Sequence, residues 1–134
     1  MVVVLALVTG AMVLRGRPGS GRLDLLATAN EAAARFRQAR TAAIRGAVET
    51  TVLIDTDRRI VGAPKPLAPI EIAPDIDMLA VVSDAERRSP SIAGIRFFPN
   101  GSATGGMLRL QRGAQAFEVR VNWFTGRVSV NADP

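Results

Sequence analysis

The sequence predicts an α+β fold, an amphipathic helix packed on an antiparallel β-sheet or β-sandwich and preceded by an N-terminal hydrophobic segment. Three observations carry this. Apolar residues between Leu23 and Arg45 recur at helical spacing and form one stripe. After Gly46 the period changes, and the last third of the chain alternates strictly between apolar and polar residues, as strands with one wet face do. The chain has 134 residues and no cysteine, so it has room for one small domain whose core must hold without disulfides.

The elements follow in order. "MVVVLALVTGAMVL", Met1 to Leu14, is uncharged but shorter than the roughly 20 residues that span a bilayer. It lacks the basic segment and the small-x-small site of a signal peptide. Two readings stand: a buried strand or short helix, or a membrane helix whose first part lies upstream of Met1. "RGRPGSGR", residues 15–22, carries Pro18 and three glycines and reads as a hinge. The helix Leu23–Arg45 has Leu25, Leu26, Ala29, Ala32, Ala33, Phe36, Ala39 and Ala43 on its stripe, with Gly46 as its stop. Its arginines 35, 37, 40 and 45 read as a solvated face rather than a nucleic-acid face.

The β region is expected over residues 47–131. Thr50–Asp55 and Arg59–Val61 form a hairpin around Asp55-Thr56-Asp57-Arg58. Pro64, Pro66 and Pro69 make an extended connection, and Ile70–Ile72 and Ile76–Val82 are strands. Ser83–Ser91 reads as a polar loop. Ile95–Phe98 and Met107–Gln111 are strands joined by a glycine-rich loop. Phe117, Val119, Val121 and Trp123 are expected on one face, opposite Glu118, Arg120 and Asn122, and Val128 and Val130 continue the pattern. Residues 112–115 and 124–127 are short hairpin turns.

Composition closes several chemistries. With no histidine, cysteine or tyrosine, the chain cannot build a Ser-His-Asp triad, a thiol nucleophile or a Cys/His zinc site. Asp55/Asp57 and Asp75/Asp77 lack the further ligands and glycine of a calcium loop, so they are assigned to turn chemistry and strand flanking. Gly101 and Gly106 have P-loop spacing, but Met107 and Leu108 stand where Lys and Ser/Thr belong, and a strand follows. Pro99-Asn100-Gly101 therefore reads as a turn between strands, not a phosphate cradle. Ser-Lys catalysis would need Lys65, the one lysine, and no serine is set up beside it. No enzyme, cofactor or metal is expected. Net charge +5 permits a nucleic acid or anionic lipid partner but does not specify one.

"GIRFFPNGSATGGMLRL", Gly94 to Leu110, and "VNWFTGRVSV", Val121 to Val130, resemble the C-terminal signature of the H-type minor pseudopilins of type II secretion. The matching positions are Ile95, Phe97, Pro99, Asn100, Gly101, Ser102, Thr104, Gly105, Gly106, Trp123, Thr125, Gly126 and Arg127. The resemblance runs from about Leu23 to the end. It implies a pilin-like domain (residues 23–134) in the periplasm, anchored in the bacterial inner membrane by a single pass. Residues 1–14 would be the remnant of the hydrophobic helix, and residues 15–22 its hinge. It implies a structural subunit that packs beside other pseudopilins and assists export of folded proteins, with no specific nucleic acid and no small-molecule substrate. Related minor pilins of type IV pili share the domain, and some take part in DNA uptake, which is the alternative function. Members of the family open with a processing motif cut after glycine and then methylated. That motif is expected upstream of Met1.

Overall fold

The structure, a computed structural model, describes residues 21–62 and 68–133. The expected apolar segment Met1–Leu14, most of the hinge, and Pro64 and Pro66 lie outside them. Helix α1 runs Gly21–Gly46. It takes in Gly21 and Arg22, which the sequence reading put in the hinge; a glycine at a helix end costs little there, and arginine is a good helix former. The apolar stripe is where the spacing put it. Leu25, Ala29, Ala32, Ala33, Phe36, Ala39 and Ala43 are fully buried.

The helix ends at Gly46, but Ala47, not the glycine, takes the left-handed conformation, at φ 52°. The Val48 N–H then donates to the Ala43 carbonyl at 3.2 Å and closes the last turn. No helix among the described residues is long and apolar enough to cross a membrane.

Among the described residues nine strands form two antiparallel sheets: β1 Thr50–Asp55, β2 Ile60–Val61, β3 Ile70–Glu71, β4 Asp77–Val81, β5 Arg87–Ser89, β6 Ile92–Phe97, β7 Gly106–Arg112, β8 Gln115–Val121 and β9 Val128–Ala132. The first sheet has the order β3-β2-β1-β6-β5, the second β4-β7-β8-β9. β1 pairs along its length with β6, from Thr50↔Phe97 to Asp55↔Ile92. The β1–β2 hairpin has the expected aspartate chemistry, with Asp55 Oδ1 accepting the N–H groups of Asp57 (3.0 Å) and Arg58 (2.9 Å).

Two expectations change here. Ser83–Ser91 is not a loop throughout. Asp84–Glu86 makes a 3₁₀ turn, and Arg87–Ser89 becomes the edge strand β5, its register to β6 shifting between Arg87 and Ser89. Three polar residues on an edge bury nothing and show no alternation, so the pattern hid them. The chain also leaves β8 at Val121. Phe117, Val119 and Val121 face the core, but Trp123 stands in the following turn, 67% exposed.

Helix α1 packs mainly on β8 and β1, with further contact to β9 and β7. Its alanines let both sheets approach closely. Val52, Ile54, Ile95 and Phe97 from the first sheet share one core with Leu108, Leu110, Phe117 and Val119 from the second, and Phe36 lies in it. Burying a side chain of that size is worth about 1.5–3 kcal/mol.

Candidate functional site

The loop after β6 and the turn after β8 meet beneath the C-terminal half of α1. The first loop is held by its own side chains. Asn100 Oδ1 accepts the Ser102 N–H at 3.0 Å and hydroxyl at 2.7 Å. The Gly101 N–H donates to the Phe98 carbonyl (2.9 Å), and the Phe98 N–H to that of Ser102 (2.9 Å). Thr104 Oγ1 accepts the Arg96 N–H at 3.0 Å. Gly101 has φ 93°, as the turn reading of Pro99-Asn100-Gly101 requires.

The second turn is organised by Asn122. Its Oδ1 accepts the N–H groups of Phe124 (2.9 Å) and Thr125 (3.0 Å), and its carbonyl that of Gly126 (2.7 Å). Thr125 Oγ1 accepts the Arg127 N–H at 3.2 Å. This local satisfaction of backbone donors draws the chain out of β8 two residues before Trp123.

The two turns are fitted to one another. The Ala103 N–H donates to the Trp123 carbonyl at 2.9 Å. A Cβ on Gly105 would lie 2.8 Å from Trp123 Cβ, and a Cβ on Gly126 would drive into the Gly101 carbonyl oxygen. The helix holds both. Arg40 Nε donates to the Gly101 carbonyl at 2.9 Å, and Arg37 Nη2 to the Val128 carbonyl at 2.9 Å. These two arginines are therefore not only a solvated face: they bind turn backbone across roughly 60 and 90 residues of sequence. Nothing in their spacing could have revealed that, because the partners are carbonyls, which every residue has.

The signature residues thus fall into three places. Ile95 and Phe97 are buried on β6. Pro99, Asn100, Gly101, Gly105 and Gly106 shape the first loop, Gly106 opening β7. Trp123, Thr125, Gly126 and Arg127 make the second turn. Trp123 and Phe124 project from it, 67% and 71% exposed, with ring centroids 5.5 Å apart edge to face. Large aromatics at the surface are typical interface anchors.

Charge is managed in pairs. Arg96 reaches Glu86 (2.6 Å), the only charged side chain buried among the described residues, and Glu49 (3.2 Å). Those carboxylates, Glu86 first, hold the Arg96 guanidinium pKa above its ordinary value. Arg109 pairs with Asp133, Arg112 with Asp75 (2.9 Å) and Arg120 with Glu118 (2.8 Å). The Arg109 hydrogen bond pulls the Asp133 carboxyl below the usual range, against the opposing effect of burial, and Arg112 does the same for Asp75. Among the described residues no cluster of three or more His, Cys, Asp or Glu comes together. The arrangement has the parts of a binding surface: rigid turns, projecting aromatics and arginines.

The family described as Type II transport protein GspH matches residues 28–126. The minor pseudopilin EpsH from the type 2 secretion system of Vibrio cholerae superposes with a TM-score of 0.62 at 15% identity, over 81% of this chain and 96% of EpsH. The Pseudomonas aeruginosa type IV minor pilin FimU gives 0.57 at 14% identity, over 87% of this chain and 93% of FimU. A second crystal form of FimU gives 0.55 at 12%. At these identities the structural likeness shows the fold. No curated protein sequence matches the chain.

Proposed function

Because the chain belongs to the Type II transport protein GspH family, the minor pseudopilins of type II secretion, we propose that it is a structural subunit of the secretion pseudopilus that assists export of folded proteins across the outer membrane. Members are structural proteins rather than enzymes, and the family implies a place at the membrane and in the periplasm. On this reading, Met1–Leu14 belongs to a single-pass inner-membrane helix, Arg15–Arg22 is the joint, and the domain from Leu23 onward stands in the periplasm, its helix packed beside other pseudopilins. The signature residues serve as framework: they fix the two turns that α1 clamps and that carry Trp123 and Phe124 outward.

The observation that carries the proposal is the extent of the family match. It spans most of α1, every strand of both sheets except β9, the first loop, and the second turn as far as Gly126. The fold is shared with the type IV minor pilin FimU, and a second reading is a type IV pilus subunit, for which we keep DNA uptake as the alternative function. The pairing of Arg109, Arg112 and Arg120 with acids weighs against it, because it leaves the second sheet without a positive track. The test is a deletion strain assayed for both processes. Export of folded proteins is expected to stop and to return on complementation, while DNA uptake continues. Normal export with lost uptake would reverse the ranking.

A further inference from the structure

Three guanidinium groups gather in one place with no acid among the described residues that line it. A surface cavity of about 630 Å³ between α1 and the second turn is lined by Arg37, Arg40 and Arg127, with Thr41 and Thr125 on its wall. Arg37 and Arg40 lie three apart on one helix face, so they are neighbours by helix geometry. Each gives one N–H to a backbone carbonyl and has donors to spare. The Arg127 side chain has no hydrogen-bond partner among the described residues, and none of the three forms an ion pair there. Four arginines elsewhere, Arg96, Arg109, Arg112 and Arg120, are each met by a carboxylate. Here the chain concentrates like charge in a concave recess, which raises the local concentration of anions.

We propose that this cavity is an anion-binding site that takes the carboxylate side chains of an acidic segment of a partner subunit, with an adjoining apolar residue packed on Trp123 and Phe124. This deepens the subunit reading and rests on it. Arginine forks match carboxylates bidentately, and arginine and tryptophan are both enriched at interface hot spots. A nucleic-acid backbone fits less well, because it needs a track of free cations and the arginines of the neighbouring sheet are already occupied. On the membrane-anchored reading a lipid headgroup fits less well, because Arg40 lies about 28 Å along the helix from Gly21, the end nearer the apolar segment in sequence.

Trp123 is the only tryptophan and sits on the same turn, so its fluorescence reports the site. The full chain in neutral detergent would be titrated with acetyl-Asp-Glu-Leu-Glu-Asp-amide near physiological salt. A saturable one-to-one change is expected, absent with the Asn/Gln analogue of the peptide. Arg127→Gln should weaken it by about tenfold or more without changing the thermal melt. Arg58→Gln, in the β1–β2 turn, should leave it unaltered. Inorganic phosphate, duplex DNA and phosphatidylglycerol vesicles are the competing probes. An equal response to the neutral peptide, indifference to Arg127→Gln, or tighter Arg127-dependent binding of any competing probe would overturn the proposal. That failure is separable from failure of the subunit reading, which is decided by export in the deletion strain.

Discussion

Gly113 and Gly126 both hold positive φ, at 58° and 72°, yet they differ in what surrounds them. Nothing lies within 4 Å of a Cβ on Gly113, while on Gly126 it meets the Gly101 carbonyl and Arg40. Gly113→Ala should therefore cost only the left-handed strain, about 1–2 kcal/mol. Gly126→Ala should cost clearly more and should release the Arg40 clamp. Urea midpoints of the two variants measure the difference, and equal losses would refute the close fit of the turns. Charge gives a second prediction. The Asp75 and Asp133 carboxyls are depressed in the folded state by Arg112 and Arg109. Their contribution is thus complete above the unfolded value of about 3.9 and is lost as pH falls through the folded values. The midpoint should stay level from neutral pH to about 5 and drop below about 4, and Arg109→Met should make that drop shallower. Single residues were unevenly legible. Gly101 announced its turn, because only glycine sits easily at φ 93°. Trp123 misled, because alternation cannot show where Asn122 pulls the chain out of the strand.

At the scale of elements, α1 is the part on which both sheets depend. Its stripe was readable because seven buried positions repeat at helical spacing over about five turns. Phe36 is the largest residue on it. Phe36→Ala should destabilise the chain by about 3–5 kcal/mol, since the cavity would lie between a helix and two sheets that cannot all close on it. An unchanged urea midpoint would mean the helix does not pack as described. By contrast, β5 was invisible, being short, polar and at an edge. Its place is secured by contacts that sequence pattern does not encode: Ser89 Oγ accepts the Ile92 N–H at 3.1 Å, and Arg87 reaches the Ala80 carbonyl at 2.7 Å.

For the molecule as a whole, the fold class was legible because period and alternation are both expressions of burial. The surface was less so, because a sequence does not show which arginine meets which acid. That pairing governs DNA affinity. A net charge of +5, with the arginines of the second sheet except Arg127 already paired, should bind duplex DNA weakly and without sequence preference. Affinity should fall steeply with salt. A mobility-shift series from low to physiological salt measures this, and tight salt-resistant binding would favour the DNA-uptake reading.

The pairing of β1 with β6 also has a consequence in time. The partners lie roughly 40 residues apart, and a chain grows at about 5–20 residues per second. For roughly 2–8 s during synthesis, therefore, β1 has no β6 to complete its ladder, while its fully apolar Val52 and Ile54 await their core. The β7–β8–β9 meander needs only short closures and can assemble as soon as it emerges. The first sheet thus begins with its central strand unpaired on one side, and the newborn chain spends that interval with a bare strand edge.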